Sequence, residues 1–206
     1  MIRTVQAGYD KLAPGFGEWM ASIEDDPWER FVVELEQRLS PRVSGRLLDL
    51  GCGSGTKTKR LAERFEVLGV DVSEEQVRLA RAEAPAATFI QADFAELKMP
   101  ADSFDAVTAF YSIVHVPRDD HPELFAKILS WLRPGGFFLA SLSHVGGPDR
   151  TEEWLGVEMF FSSHDAATNR RLLCESGFRL LLDEVVTMKE PEGKATFLWV
   201  LAQKLE

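Results

Sequence analysis

Leu47-Leu48-Asp49-Leu50-Gly51-Cys52-Gly53-Ser54-Gly55 is the stretch whose reading decides the fold. A short apolar run, strand-like over 46–50, ends in a turn with three glycines in five residues. Such a turn admits positive φ and lets a ligand approach the backbone without meeting a Cβ. The segment 56–64 follows as a helix, whose first free N–H groups can receive an anionic group. Many α/β folds need a glycine turn for geometry alone, so the turn by itself is weak evidence.

Working outward, the same unit recurs. Residues 66–70 read as a second strand ending at Asp71, twenty positions after Gly51. Ser73 opens a helix to about Ala84 with Gln76 three residues on, a capping-box pattern, and Pro85 stops it. Residues 87–91 and 104–110 are two more strands, 122–132 a helix, and Pro134-Gly135-Gly136 turns into a fifth strand over 137–141. The stretch 142–163 reads as irregular. A helix over 166–176 is closed by Gly177, and two long strands, 178–189 and 195–204, flank the turn Pro191-Glu192-Gly193. Upstream, Trp28, Phe31, Val32, Leu35 and Leu39 mark a helix over 28–39, which Ser40-Pro41 ends. Strands alternating with helices at this spacing predict an α/β fold, a parallel sheet covered on both faces, with a C-terminal hairpin adding one antiparallel strand. Ligands of such sheets bind at the carboxyl ends of the strands.

Composition narrows the function. The 206 residues, 45% hydrophobic, suit one domain, read as 1–206. A net charge of −10, from 23 basic and 33 acidic residues, disfavours nucleic-acid and anionic-membrane surfaces. No apolar run reaches the roughly 18 residues of a membrane span, and residues 1–10 lack the apolar core of a signal peptide. Cys52 and Cys174 are too few for a disulfide framework or a zinc site. The expectation is a reduced, cytoplasmic protein without a metal.

Asp71 is placed to accept from both hydroxyls of a ribose. Asp93 can accept from an exocyclic amine, and Phe94 can cover a flat base. Read singly, Asp71 is also a helix cap or a surface carboxylate, and Asp93-Phe94 a cap with a core aromatic.

Together these residues resemble the class I S-adenosylmethionine-dependent methyltransferases over nearly the whole chain. Leu48-Asp49-Leu50-Gly51-Cys52-Gly53-Ser54-Gly55 is similar to the family's first motif, Val70-Asp71-Val72-Ser73 to the acidic second, and Gln91-Ala92-Asp93-Phe94 to the adenine-side motif. Phe104-Asp105-Ala106-Val107 resembles the fourth strand, and Leu132-Arg133-Pro134-Gly135-Gly136 the turn before the fifth. The resemblance implies a Rossmann-like sheet and S-adenosylmethionine as cofactor, leaving S-adenosylhomocysteine as product. It implies that Asp49, Gly51, Cys52, Gly53 and Gly55 pass the methionine portion, Asp71 and Val72 the ribose, and Asp93 and Phe94 the adenine. Phe110 and Tyr111 would lie near the methionine amine and the methyl group, with Tyr9 closing over the methionine carboxylate.

The acceptor side is thinner. Ala109-Phe110-Tyr111-Ser112 departs from the Asp/Asn-Pro-Pro-aromatic motif of nucleic-acid amino-methyltransferases, and no set of further metal ligands is found, so a small-molecule acceptor, methylated on N or O, is expected. Residues 1–27 are expected as a lid segment and 142–164 as an acceptor-site insertion. From these, Phe16, Trp19, Trp154, Phe160 and His164 are candidates for an apolar acceptor pocket, although each aromatic read alone is as well a core residue. His115 is the candidate general base, since an imidazole titrates near neutrality; its other reading is a loop residue bonding a backbone carbonyl. Two rival functions stand beside this one. A nicotinamide-dependent oxidoreductase would need its third glycine one residue after Gly55, where Thr56 stands, and a catalytically silent cofactor-binding relative has no residue pattern against it.

Overall fold

The structure is a computed structural model that describes residues 1–39 and 45–205. Ser40-Pro41, expected to end the second helix, lies outside the described residues. Fifteen helices and strands of at least four residues follow one another here: α1 (Ile2–Ala21), α2 (Trp28–Leu39), β1 (Gly45–Leu50), α3 (Thr56–Leu61), β2 (Phe65–Asp71), α4 (Glu74–Glu83), β3 (Thr88–Gln91), β4 (Phe104–Ala109), α5 (His121–Trp131), β5 (Leu132–Ser143), β6 (Gly147–Trp154), β7 (Val157–Ser163), α6 (Ala166–Glu175), β8 (Phe178–Glu190) and β9 (Gly193–Lys204).

Seven strands form one sheet in the order β3-β2-β1-β4-β5-β9-β8. β1 pairs in parallel with β2 and β4, β2 with β3, and β4 with β5. β9 runs antiparallel to both its neighbours, β5 and β8, and so is the one reversed strand of this sheet. Neighbouring residues of β1 point to opposite faces, as the two-residue period of a strand requires. Leu48 and Leu50 join a core with Phe125, Ile128 and Leu173 of α5 and α6. Leu47 joins the other core, where Phe31 of α2 stacks on Trp199 at 5.0 Å and Leu61 of α3 packs beside them. Because both faces are covered, β4 is buried at every position and shows no polar alternation.

Two stretches differ from the expected reading. Residues 142–163 are not irregular: β5 continues to Ser143, and β6 and β7 form a separate antiparallel hairpin. Its turn, Leu155-Gly156, has φ of +52° and +78°, the left-handed pair that two-residue hairpins need. The strand pattern is hidden because β6 is exposed at nearly every residue and carries no buried apolar face. The N-terminal segment, expected as a lid with no element assigned to it, opens with a twenty-residue helix, and Pro14 lies inside it. Pro14-Gly15 and Gly17 read locally as breakers. Tertiary packing overrides them: Val5 of α1 packs on Met159 and Phe160 of β7. Gly8 is so close to β7 that a Cβ there would stand 2.7 Å from Met159 Cε.

The capping box at Ser73 is half made. Ser73 Oγ accepts from Gln76 N–H at 3.1 Å, but both polar atoms of the Gln76 amide are buried without a hydrogen-bond partner among the described residues. Ser73 Oγ donates instead to Asp10 of α1 at 2.6 Å, and Asp10 also accepts from Glu75 N–H. The Ser73 N–H that the helix's own glutamine was expected to bind goes to Asp71 Oδ1 at 2.9 Å.

Candidate functional site

A cavity of 480 Å³ lies at the carboxyl ends of β1 to β4, between the sheet and α1. Its floor is the glycine turn. Gly51 has φ of +74°, and a Cβ there would stand 2.3 Å from Ser112 Cβ, so the floor can be only glycine at this point. Ser112 Oγ donates to Leu50 O at 2.7 Å and so pins the segment after β4 onto the end of β1. Asp49 faces the cavity too, but its carboxylate accepts from Thr58 and Thr108 hydroxyls at 2.7 and 2.8 Å, bracing α3 and β4. Burial raises its pKa, with both hydroxyls opposing. Burial, then the charges of Asp71 and Asp49, push the Cys52 thiol up and keep it protonated.

Asp71 ends β2 with one oxygen accepting from Gly53 N–H (2.8 Å) and the other from Ser73 N–H (2.9 Å). Each oxygen keeps a lone pair for a ligand. Burial is the larger influence and pushes the group up to about 6 against these two donors. Val72, Asp93 and Phe94 continue the wall. Asp93 Oδ1 accepts from Ala95 N–H at 2.9 Å, and burial raises its pKa. This arrangement fits an adenosyl group: a buried diol-accepting carboxylate, a second carboxylate beside an aromatic ring, and an unobstructed glycine backbone.

On the cover side, Tyr9 of α1 and His115 meet. His115 Nδ1–H donates to Phe160 O at 2.7 Å, because a carbonyl only accepts. Nε2 is therefore the acceptor, and Tyr9 O–H donates to it at 2.8 Å. Burial lowers His115 to about 4, the Phe160 carbonyl opposing, so the imidazole is neutral at pH 7. Burial and then the charge of Asp71 hold Tyr9 protonated.

Most of the expected cofactor residues converge on the cavity wall: Tyr9, Asp49, Gly51, Cys52, Gly53, Asp71, Val72, Asp93, Phe94, Phe110 and Tyr111. Gly55 does not line it; it begins α3 and its Cα faces Ala80 of α4. Tyr111 lines the wall, but its hydroxyl is bound to Asp26. Of the expected acceptor residues, Phe16 and His115 line the cavity. Trp154 stands behind them, edge-on to Tyr9, Phe16 and Trp19 at 6.3, 6.0 and 5.5 Å. Trp19 stacks on Phe16 at 5.6 Å and its indole N–H donates to Glu192. Phe160 contributes its carbonyl, with its ring packed against α1. His164 is apart, within hydrogen-bonding distance (3.0 Å) of Arg118 O and beside His121.

Sequence reasoning missed Asp26, Trp28 and Lys57, which line the same cavity. Asp25-Asp26-Pro27 reads locally as a helix cap, and indeed Asp26 accepts from Trp28 N–H at 3.2 Å. Its second role depends on Lys57 and Tyr111, which no local pattern connects to it.

Residues 47–136, a little under half of the chain, match the methyltransferase domain family, and this segment belongs to it. The chain is 32% identical over 165 residues to an O-methyltransferase of Pyrenophora dematioidea, covering 74% of this chain and 61% of that protein. The curated relatives it matches are longer; the chain spans about two fifths to three fifths of their length. In fold it is similar to the 1,6-didemethyltoxoflavin-N1-methyltransferase of Burkholderia thailandensis, with a TM-score of 0.75 at 20% identity, covering 98% of this chain and 87% of that one. It is also similar to the [4+2]-cyclase SpnF, with a TM-score of 0.73 at 18% identity, covering 97% and 96%.

Proposed function

We propose that this chain transfers a methyl group from S-adenosylmethionine to an oxygen or nitrogen atom of a small organic molecule. The observation that carries the reading is the convergence of Asp71, Asp93 with Phe94, and the glycine turn on one cavity whose remaining wall combines aromatic and apolar side chains with a few polar ones. When bound, the cofactor supplies an activated methyl group. The chain's own task is to hold the acceptor in line and keep water out, and proximity of this kind is worth about 7–11 kcal/mol.

Asp71 holds the ribose hydroxyls, Asp93 and Phe94 the adenine, and the backbone of Gly51 to Gly53 lies along the methionine. Helix α1 and the β6–β7 hairpin act as a cover that opens for exchange, closed by the Tyr9–His115 bond and the Asp10 contacts to α4. His115 is a positioning residue in this scheme. Its single lone pair is taken by Tyr9, and an imidazole lowered to about 4 is a weak base at neutral pH. The net charge and a cavity of 480 Å³ favour a small acceptor over nucleic acid. The chain's likeness in fold to a cyclase shows that fold alone does not specify the reaction.

The test is titration calorimetry with S-adenosylhomocysteine followed by a turnover screen over small phenols, carboxylic acids and amines. Binding that Asp71→Asn weakens at least tenfold, with S-adenosylhomocysteine formed in the screen, is the expected result. Binding without turnover on any acceptor class favours the silent relative, and binding of NADH instead overturns the reading.

A further inference from the structure

Lys57, Asp26, Trp28 and Tyr111 form a polar cluster on the cavity wall that cofactor binding leaves without a task. Lys57 Nζ stands 3.1 Å from Asp26 Oδ2, 5.0 Å from the Trp28 ring centroid and 5.4 Å from that of Tyr111. Tyr111 O–H donates to Asp26 Oδ1 at 2.5 Å, and Trp28 N–H donates to the same oxygen at 3.2 Å. The ion pair is enclosed, with side chains 17% and 11% exposed.

Three separate elements are fixed to bring these groups together. Asp26 belongs to the α1–α2 linker, which Glu24 ties to β8 by two backbone hydrogen bonds with Lys189, each 2.9 Å. Lys57 is in the first turn of α3, just after the glycine turn. Tyr111 follows β4 with φ of +58°, a conformation uncommon and strained for a bulky residue, held by Ser141 Oγ accepting from its N–H at 2.7 Å. A buried ion pair is expensive to desolvate and weak as a stabiliser. Its place in a ligand cavity therefore calls for a functional account.

The hydrogen-bonding capacity left over decides what the cluster can recognise. Asp26 already accepts from three donors, against about four lone-pair sites on a carboxylate. Lys57 has three N–H groups and, among the described residues, one oxygen partner. Two aromatic faces steady its charge without using the protons as a second oxygen would. The spare capacity is thus donor capacity, and the missing partner is an oxygen that accepts. Lys57 is also the one Lys or Arg among the described residues that line the cavity. Phe16, Met20 and Ile23 give the same cavity apolar lining.

The geometry points to Lys57 as the anchor for an oxyanion on the methyl acceptor, a carboxylate or a phenolate carried on an apolar body, with Asp26 and Tyr111 as the positioning residues that hold the ammonium in place. This inference rests on the methyltransferase reading and assigns its acceptor class. The cluster orients the acceptor and takes no proton.

The experiment compares wild type with Lys57→Met and Lys57→Arg on paired probes, cinnamate against cinnamamide and 4-nitrophenol against 4-nitroaniline. S-adenosylhomocysteine formation is measured, with its Kd determined separately by calorimetry. Wild type is expected to favour the acidic member of at least one pair by tenfold or more in kcat/KM, and which pair responds separates carboxylate from phenolate. Lys57→Met is expected to abolish that preference through KM, with Kd for S-adenosylhomocysteine within twofold of wild type, while Lys57→Arg keeps most of it. Asp26→Asn, which leaves the cation and loosens its hold, is expected to raise KM three- to tenfold and serves if Lys57→Met is unstable. Equal treatment of acid and neutral partner by wild type overturns the proposal. So does a tenfold or greater loss of S-adenosylhomocysteine affinity in Lys57→Met, which would give the ammonium to the cofactor's carboxylate. Wild type that neither binds nor forms S-adenosylhomocysteine overturns the methyltransferase reading and this one with it.

Discussion

On the floor of the cavity, Gly51, Gly53 and Asp71 are held by backbone geometry and by hydrogen bonds between residues at most twenty positions apart, with one longer tie from Ser112 to Leu50 across 62 positions. Over it, α1 is held by Tyr9 on His115, Asp10 on Ser73 and Trp19 on Glu192, contacts that span 106, 63 and 173 positions. The floor is thus mainly a property of a short segment, braced by Ser112 and intolerant of change. The cover is a property of the assembled chain, built from side chains that can separate singly. A site made of both can keep one ligand in a fixed place while admitting another.

The sharpest way to break the comparison is within the floor. Gly51→Ala forces a Cβ onto Ser112 at a positive φ, so a loss of at least a hundredfold in S-adenosylhomocysteine affinity is expected, with destabilisation of roughly 3 kcal/mol or more. Gly53→Ala shares the positive φ, but its Cβ would meet nothing within 4 Å, and only the backbone cost of about 1–2 kcal/mol is expected. Urea unfolding and calorimetry on the two variants measure the contrast; equal losses would mean that φ, not the contact with Ser112, constrains the floor.

Acidification probes floor and cover with opposite signs. Neutral His115 and His121 each stand near 4 against an ordinary 6.5, mainly through burial. The unfolded chain takes those protons first, so the stability each contributes is present above 6.5 and lost as pH falls toward 4, about 3 kcal/mol each. Asp71 runs the other way. Raised to about 6 from 3.8, it binds its proton more tightly when folded, and acidification from 7 to 4 returns about 3 kcal/mol. Urea midpoints at pH 7, 6 and 5 should therefore fall more steeply for Asp71→Asn than for wild type. Parallel slopes would remove Asp71 from the account.

A smaller effect is expected where the cover is latched. Tyr9→Phe deletes the donor to buried His115 Nε2 at a cost of about 1–3 kcal/mol. Amide exchange of α1 and the β6–β7 hairpin should quicken by tenfold or more while β1 and β4 stay protected. Exchange that rises uniformly would mean that cover and floor open as one unit. The smallest change is at Gln76, whose buried amide is unpartnered among the described residues. Gln76→Met is expected to be neutral or to stabilise by up to about 1 kcal/mol in urea unfolding.

The same division explains what could be read from the sequence. The parallel sheet, its helices and the one antiparallel strand of the terminal hairpin follow from local signals: buried runs, Ser73 as a cap, Gly177 and the terminal hairpin turn, whereas the place of β9 between β5 and β8 does not. Asp71 and Asp93 are legible because each stands directly after a strand that the hydrophobic pattern marks. Helix α1 is illegible because Pro14 and its neighbouring glycines speak against a helix, and only β7, about 150 residues later, outweighs them. The β6–β7 hairpin is illegible because its exposed strand lacks the alternation that marks a half-buried one. Asp26 and Lys57 are legible only as a cap and a surface charge, since their pairing crosses 31 positions and depends on where Tyr111 turns its ring.

The long-range anchoring of α1 has a consequence for the order in which the protein is made. Helix α1 leaves the ribosome well before its seat does: Met159, Phe160, Trp154 and Glu192, against which it rests, emerge only after some 150 further residues. At about 5–20 residues per second, the helix waits roughly 10–30 s for its seat. During that interval the apolar face bearing Val5, Tyr9 and Leu12 is without its native cover, while β1 to β5 and their helices can already pair behind it. The cover of the cavity therefore closes only after β7 has emerged, and chaperone capture during synthesis should fall on α1.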